Sequence, residues 1–237
     1  MAQEPVILLP PEAADARFWA PVTAGLAMER SVTVAPVHLG DRIEEIASEI
    51  VTSSPPKFAL CGAGLGGMVA LEIVRRAPDR VTRLALMDTS PHADTPAEAG
   101  DREARIIKAK TGQLLVTHES DMRSSGLAPV PHQSDVLALG LDMLDHLGAD
   151  AYMRQMRCLM RRRDQQSTLR RVRCPALVLC GAGNLRYTVK RHMSMAELIP
   201  YSQLQVIDGA GHLAPMEQPE AVIGALRQWQ AMPLVLR

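Results

Sequence analysis

The segment that most restricts the fold is Gly62-Ala63-Gly64-Leu65-Gly66-Gly67, lying between the short apolar run 58–61 and the segment 68–77. The run 58–61 has strand length, and 68–77 is apolar on nearly all sides, as a buried helix is. Pro78 stops that helix. Glycines at this density let a helix start close against the strand it leaves, because they carry no Cβ and accept positive φ. Such a strand–turn–helix unit calls for a sheet with helices packed on it.

The rest of the chain repeats that rhythm. Strands are predicted at 6–9, 32–36, 58–61, 81–87, 176–180 and 203–207. Helices are predicted at 18–28, 190–198 and from Pro219, which suits the first position of a helix. Val222, Ala225, Leu226 and Trp229 form the inner face of that last helix. Ile43, Ile46, Ala47, Ile50 and Val51 recur at helical spacing, with Asp41 as a cap and Glu44 completing a capping box. Strands alternating with helices imply a parallel sheet covered on both faces through right-handed crossovers. The predicted fold class is therefore α/β, with a largely parallel six-stranded sheet.

The stretch 91–173 breaks the pattern and holds no convincing strand. Val136, Leu137, Leu141 and Leu144 make one helical stripe, and Tyr152, Met156, Leu159 and Met160 another. It reads as a helical cap inserted into a core made of 1–90 and 174–237, over the sheet edge where open α/β sheets bind ligands. Arg154, Arg157 and Arg161 recur along the cap, followed by Arg162, Arg163, Arg170, Arg171 and Arg173. They read as a solvated face with its loop; the alternative is a site for an anion.

Composition narrows the functions. Lys+Arg and Asp+Glu are both 26, and aromatics are 3% of 237 residues. A neutral chain poor in aromatic rings gives no support to nucleic-acid or membrane-surface binding. No apolar run reaches membrane-spanning length, and the N-terminus lacks the basic and apolar regions of a signal peptide, so a cytoplasmic protein is expected. Cys61, Cys158, Cys174 and Cys180 fit neither a redox pair nor a zinc pattern, so no metal is expected.

The glycine turn resembles the nucleophile elbow of the α/β-hydrolase fold superfamily, of the esterase-like AB hydrolase-1 type. Leu177 to Asn184 resembles the strand and turn carrying that family's catalytic acid, and Gly209-Ala210-Gly211-His212 the loop presenting its histidine. The likeness covers nearly the whole chain. It implies a triad in which Gly64 stands at the nucleophile position, Asn184 at the acid position, and only His212 matches. It implies the Leu65 N–H as one oxyanion donor. Pro11 stands where a relative carries glycine and has no N–H, which leaves the Glu12 N–H as the second. Losing the nucleophile costs about 10⁶ in kcat in a comparable triad, so serine-type ester hydrolysis is not expected.

Two readings follow from the resemblance. In one, a degenerate member binds a small apolar or amphipathic molecule, or a protein partner, without serine-type turnover. In the other, an active hydrolase, or an enzyme like the superfamily's cofactor-free lyases and oxygenases, uses His212 with Asp88 as a substitute acid. Asp88, Thr89 and Ser90 otherwise read as the turn that ends their strand. Both readings need no cofactor, and a homodimer stays open. The pocket is expected under the cap, bordered by Gly64, Leu65, Asn184, His212 and Met156, with extra room at Gly64.

Overall fold

The computed structural model describes residues 4–234. Six strands, β1 (Val6–Leu9), β2 (Val32–Val34), β3 (Phe58–Ala63), β4 (Val81–Met87), β5 (Ala176–Gly181) and β6 (Ser202–Ile207), form one sheet. Their order is β2-β1-β3-β4-β5-β6, and every neighbouring pair is parallel. β1, β3 and β5 are buried throughout, whereas the edge strands β2 and β6 are partly exposed. Burial on both faces is what makes a central parallel strand an uninterrupted apolar run.

The helices are α1 (Ala20–Ala27), entered through a 3-10 turn at Ala16–Trp19, α2 (Ile43–Ser53), α3 (Leu65–Arg76), α4 (Pro96–Lys110) and α5 (Leu114–Ser124). There follow α6 (Gln133–Arg161), α7 (Gln166–Leu169), α8 (Val189–Glu197), α9 (Ala214–Glu217) and α10 (Pro219–Ala231). Alternate strand residues feed two cores, as the period of a strand requires. Ile7, Leu9, Leu60 and Leu86 pack with Ile46 and Ile50 of α2 and Val69 and Ile73 of α3. On the other face Val6, Leu8, Ala59 and Leu179 pack with Val22 and Leu26 of α1 and with Leu226 and Trp229 of α10.

Between β4 and β5 the chain is helical, α4 to α7, with no strand among the described residues. α6 is broken at Gly148, whose backbone (φ 76°, ψ 166°) is not helical, and the two apolar stripes lie on either side of the break.

Two local expectations fail. α2 starts one residue late, because Arg42 is extended (φ −141°, ψ 146°) and takes the cap position. The Asp41–Glu44 capping box is therefore absent, and the Asp41 N–H donates to the Glu45 carboxylate at 3.0 Å instead. Arg162 is not on a solvated face. It is buried and bonds to the His92 and Leu159 carbonyls and to Asp94. No helix among the described residues is long and apolar enough to cross a membrane.

Candidate functional site

β3 turns into α3 at Gly64, which holds φ 49° and ψ −121°. A side chain there would be strained by about 1–3 kcal/mol. A Cβ on Gly66 would lie 2.3 Å from the Leu9 carbonyl oxygen, so the first turn of α3 is pressed onto the end of β1. The Gly64 N–H donates to Met87 O (3.1 Å), and its carbonyl accepts from Thr89 Oγ1 (2.7 Å). Thr89 thus clamps the elbow to the end of β4.

The space in front of this elbow is filled by Glu12. Its carboxylate Oε2 accepts the Leu65 N–H at 3.1 Å, and Oε1 accepts from Arg186 Nη1 at 3.0 Å. A Cβ built on Gly64 would sit 2.8 Å from that same Oε2 and 2.7 Å from Pro11 Cβ. The expected extra room at Gly64 is therefore not there. The group that Glu12 turns toward the Leu65 N–H is its carboxylate, not its backbone N–H. Burial alone would raise this carboxyl, but Arg186, Arg102 and its own backbone N–H hold it down at about 2, so it is ionised. The turn that presents Glu12 is fixed from α6. Ala13 has a positive φ of 60°, and its N–H donates to the buried Gln155 Oε1 at 2.9 Å.

Asn184 and His212 do meet. Asn184 Oδ1 accepts the N–H groups of Arg186 (3.0 Å) and Tyr187 (2.9 Å). Two backbone donors on one atom make it the oxygen, so the other atom is the NH₂ group. That NH₂ lies 2.8 Å from Asp88 Oδ1 and 3.2 Å from His212 Nδ1. The imidazole Nδ1 must then accept, and the ring proton sits on Nε2. His212 thus presents a donor to the cavity where a general base needs a lone pair. Burial and Arg186 push its pKa down to about 3, so the ring is neutral.

Asp88 makes no hydrogen bond to His212; the Asn184 amide stands between them. Its Oδ1 also accepts the Gly181 N–H at 3.2 Å, and the Ala214 backbone N–H faces the same carboxyl. Burial drives its carboxyl well above the usual range, with the Asn184 bond opposing. Glu217 is a residue that sequence reading missed. Fully buried, it accepts from the N–H groups of Gly211 (2.6 Å), Leu213 (3.2 Å) and Ala128 (2.7 Å), and so pins the histidine loop to the chain before α6.

The adjoining cavity has a volume of about 50 Å³. Glu12, His212 and Met156 line it, but Gly64, Leu65 and Asn184 do not, because Glu12 and the imidazole cover them. Phe18, Met122, Met143 and Met216 make an apolar wall. Arg102, Arg105 and Arg186 supply a cationic one. Arg102 and Arg105 come from α4, which carries no apolar stripe strong enough to mark it in the sequence.

His118 also lines the cavity, and burial beside Arg186 and Arg105 lowers its pKa to about 4. The unfolded imidazole gains its proton near 6.5, so His118 weakens the fold as pH falls from 6.5 to about 4 and costs nothing above that window. His118→Gln is therefore expected to match the parent at pH 8 and to exceed it at pH 4.5 by about 1–2 kcal/mol in urea unfolding. Equal acid stability of the two proteins would exclude a neutral, shielded His118. Among the described residues, no group of three or more His, Cys, Asp or Glu side chains is placed to hold a metal ion.

The profile of the Alpha/beta hydrolase family matches residues 5–225. A thermophilic esterase from Thermogutta terrifontis, solved with malate bound, superposes with a TM-score of 0.85 at 26% identity, over 96% of this chain and 89% of that one. The enol-lactonase from Burkholderia xenovorans superposes at 0.84 over 98% and 93% of the two chains, but at 19% identity it shares the fold alone. A pimeloyl-(acyl-carrier protein) methyl ester esterase from Aromatoleum aromaticum is 26% identical over 193 residues, 76% of this chain and 77% of that protein. A match that runs from residue 5 to residue 225, over a sheet and an elbow of this geometry, settles the kinship: the chain belongs to the alpha/beta hydrolase family.

Proposed function

We propose that this chain is a ligand-binding member of its family that does not carry out serine-type ester hydrolysis, and that it holds a small amphipathic molecule under a helical cap formed by 91–173. The observation that carries this reading is the Glu12 carboxylate seated on the Leu65 N–H, 3.1 Å away, directly in front of a residue without a hydroxyl. An oxyanion hole works by offering N–H groups to charge that develops in the transition state. One already satisfied by a full internal charge offers little to a substrate. The amide at 184 adds a second obstacle, since it fixes His212 in the tautomer that cannot take a proton at Nε2. Esterase relatives speak for the ancestry of the pocket, not for its present chemistry.

The reading in which His212 works with Asp88 has less support, because the carboxylate reaches the ring only through the Asn184 amide. The test is incubation with a fluorophosphonate probe and with p-nitrophenyl butyrate. No covalent adduct and no hydrolysis above the buffer rate are expected. A phosphonylated residue in the cavity would overturn the proposal.

A further inference from the structure

The charges around the cavity close only with Glu12 in place. Arg102 and Arg162 share Asp94, Arg105 has Asp101 and Asp121, and Arg186 has Glu12. The Arg186 and Glu12 side chains are 22% and 7% exposed, so the pair is largely shielded. If the Glu12 side chain swung away alone, Arg186 would lose its hydrogen-bonded carboxylate in a partly shielded place and keep only the more distant Asp121 as a counter-charge, which is disfavoured. A neutral ester arriving there would not relieve this. A group of the same charge and shape would.

We propose that the site takes a small monocarboxylate with an apolar tail, whose carboxylate replaces that of Glu12 between the Leu65 N–H and Arg186. This rests on the reading of a binding pocket given above and names its ligand class. Carboxylates pair with a guanidinium and a helix N-terminal N–H through charge-assisted hydrogen bonds. The tail would lie against Phe18, Met122, Met143 and Met156, and methionine adapts to varied apolar shapes. The Leu65 N–H and Arg186 are both engaged by Glu12, so a ligand carboxylate reaches them only when that side chain leaves. The backbone need not follow, because Gln155 holds Ala13. Glu12 is thus an internal competitor, and ligand affinity is reduced by the fraction of time that it occupies the hole.

The experiment compares butyrate, butyramide and methyl butyrate as probes in thermal-shift titrations of the parent, Glu12→Ala, Glu12→Gln and Glu12→Ala/Arg186→Met. Butyrate is expected to bind Glu12→Ala at least about tenfold more tightly than the parent, and the two neutral probes to gain nothing. Adding Arg186→Met should remove the gain. A Glu12→Ala protein that melts early and is restored by butyrate supports the same conclusion. Glu12→Gln, which keeps the shape without the charge, gives the comparison if the alanine variant does not fold. Equal butyrate affinity in the parent and the Glu12 variants, or methyl butyrate binding as tightly as butyrate, would overturn the proposal. Either result would leave the fluorophosphonate outcome untouched, and labelling by that probe would leave the butyrate constants untouched.

Discussion

Gly64→Ser alone leaves p-nitrophenyl butyrate hydrolysis at the buffer rate, whereas the combination Glu12→Ala, Gly64→Ser, Asp88→Asn, Asn184→Asp raises kcat by at least about 10³ over that single variant. Three features of the site give this expected result. The new Cβ would meet Glu12 Oε2 at 2.8 Å and Pro11 Cβ at 2.7 Å, so the serine enters only if Glu12 is shortened and the Pro11 turn, no longer tied to Leu65 and Arg186 through Glu12, shifts by a few tenths of an ångström. The Leu65 N–H is free for a developing oxyanion only once the Glu12 carboxylate is gone. The histidine accepts the serine proton only when its own proton lies on Nδ1, which needs an acceptor at 184. An Asp-to-Asn change in a comparable triad costs about 10⁴, chiefly through the wrong tautomer, and that penalty is what Asn184→Asp removes. Steady-state rates of the single, the combination and the intermediates decide it. A Gly64→Ser protein as active as the combination would show that neither Glu12 nor Asn184 blocks the chemistry.

What the sequence reveals and what it hides divide along a physical line. The sheet was legible because β1, β3, β4 and β5 are buried parallel strands and write themselves as apolar runs. The elbow and the histidine loop were legible because close backbone approach leaves only glycine as a choice, as at Gly66. The Glu12 carboxylate on the Leu65 N–H was not legible. Whether a loop residue offers its N–H or its carboxylate depends on a side-chain direction set by Arg186, which is 174 positions away. The contact between Asp88 and Asn184 was hidden for the same reason. Their separation of 96 residues becomes 2.8 Å only because β4 and β5 are neighbours in the sheet. Arg102 and Arg105 went unnoticed because a charged residue on a helix reads as solvent-facing until the packing of α4 is known.

That Asp88–Asn184 contact makes a second large effect testable by stability alone. Asn184→Asp would put a carboxylate where the amide now donates to Asp88 Oδ1, in a place where both residues are about 2% exposed or less. Two carboxyl groups this close cannot both ionise, so the pair retains a proton above the range in which the unfolded chain releases it. The folded pKa of the pair is raised, so its contribution to stability is complete below the unfolded carboxylate range and is lost as pH rises through the folded value. Asn184→Asp is therefore expected to destabilise the protein by about 3–5 kcal/mol at pH 8 and by less at pH 5. Asp88→Asn should cost far less. Burial already raises the Asp88 carboxyl, so the amide removes a disfavoured charge and keeps the oxygen that accepts from Gly181, but its NH₂ then faces the Ala214 N–H. Its stability at pH 8 should lie within about 1 kcal/mol of the parent's. In the double variant the amide at 88 turns its NH₂ toward the carboxylate at 184 and gives up the Gly181 bond, so a large part, but not all, of the Asn184→Asp loss should disappear. The coupling energy across this double-mutant cycle, measured by urea unfolding at pH 8 and pH 5, is expected to be at least about 2 kcal/mol at the higher pH and to shrink at the lower one. Additive effects at both pH values would mean that Asp88 does not determine which residue the chain tolerates at 184, and the amide beside His212 would then need another cause.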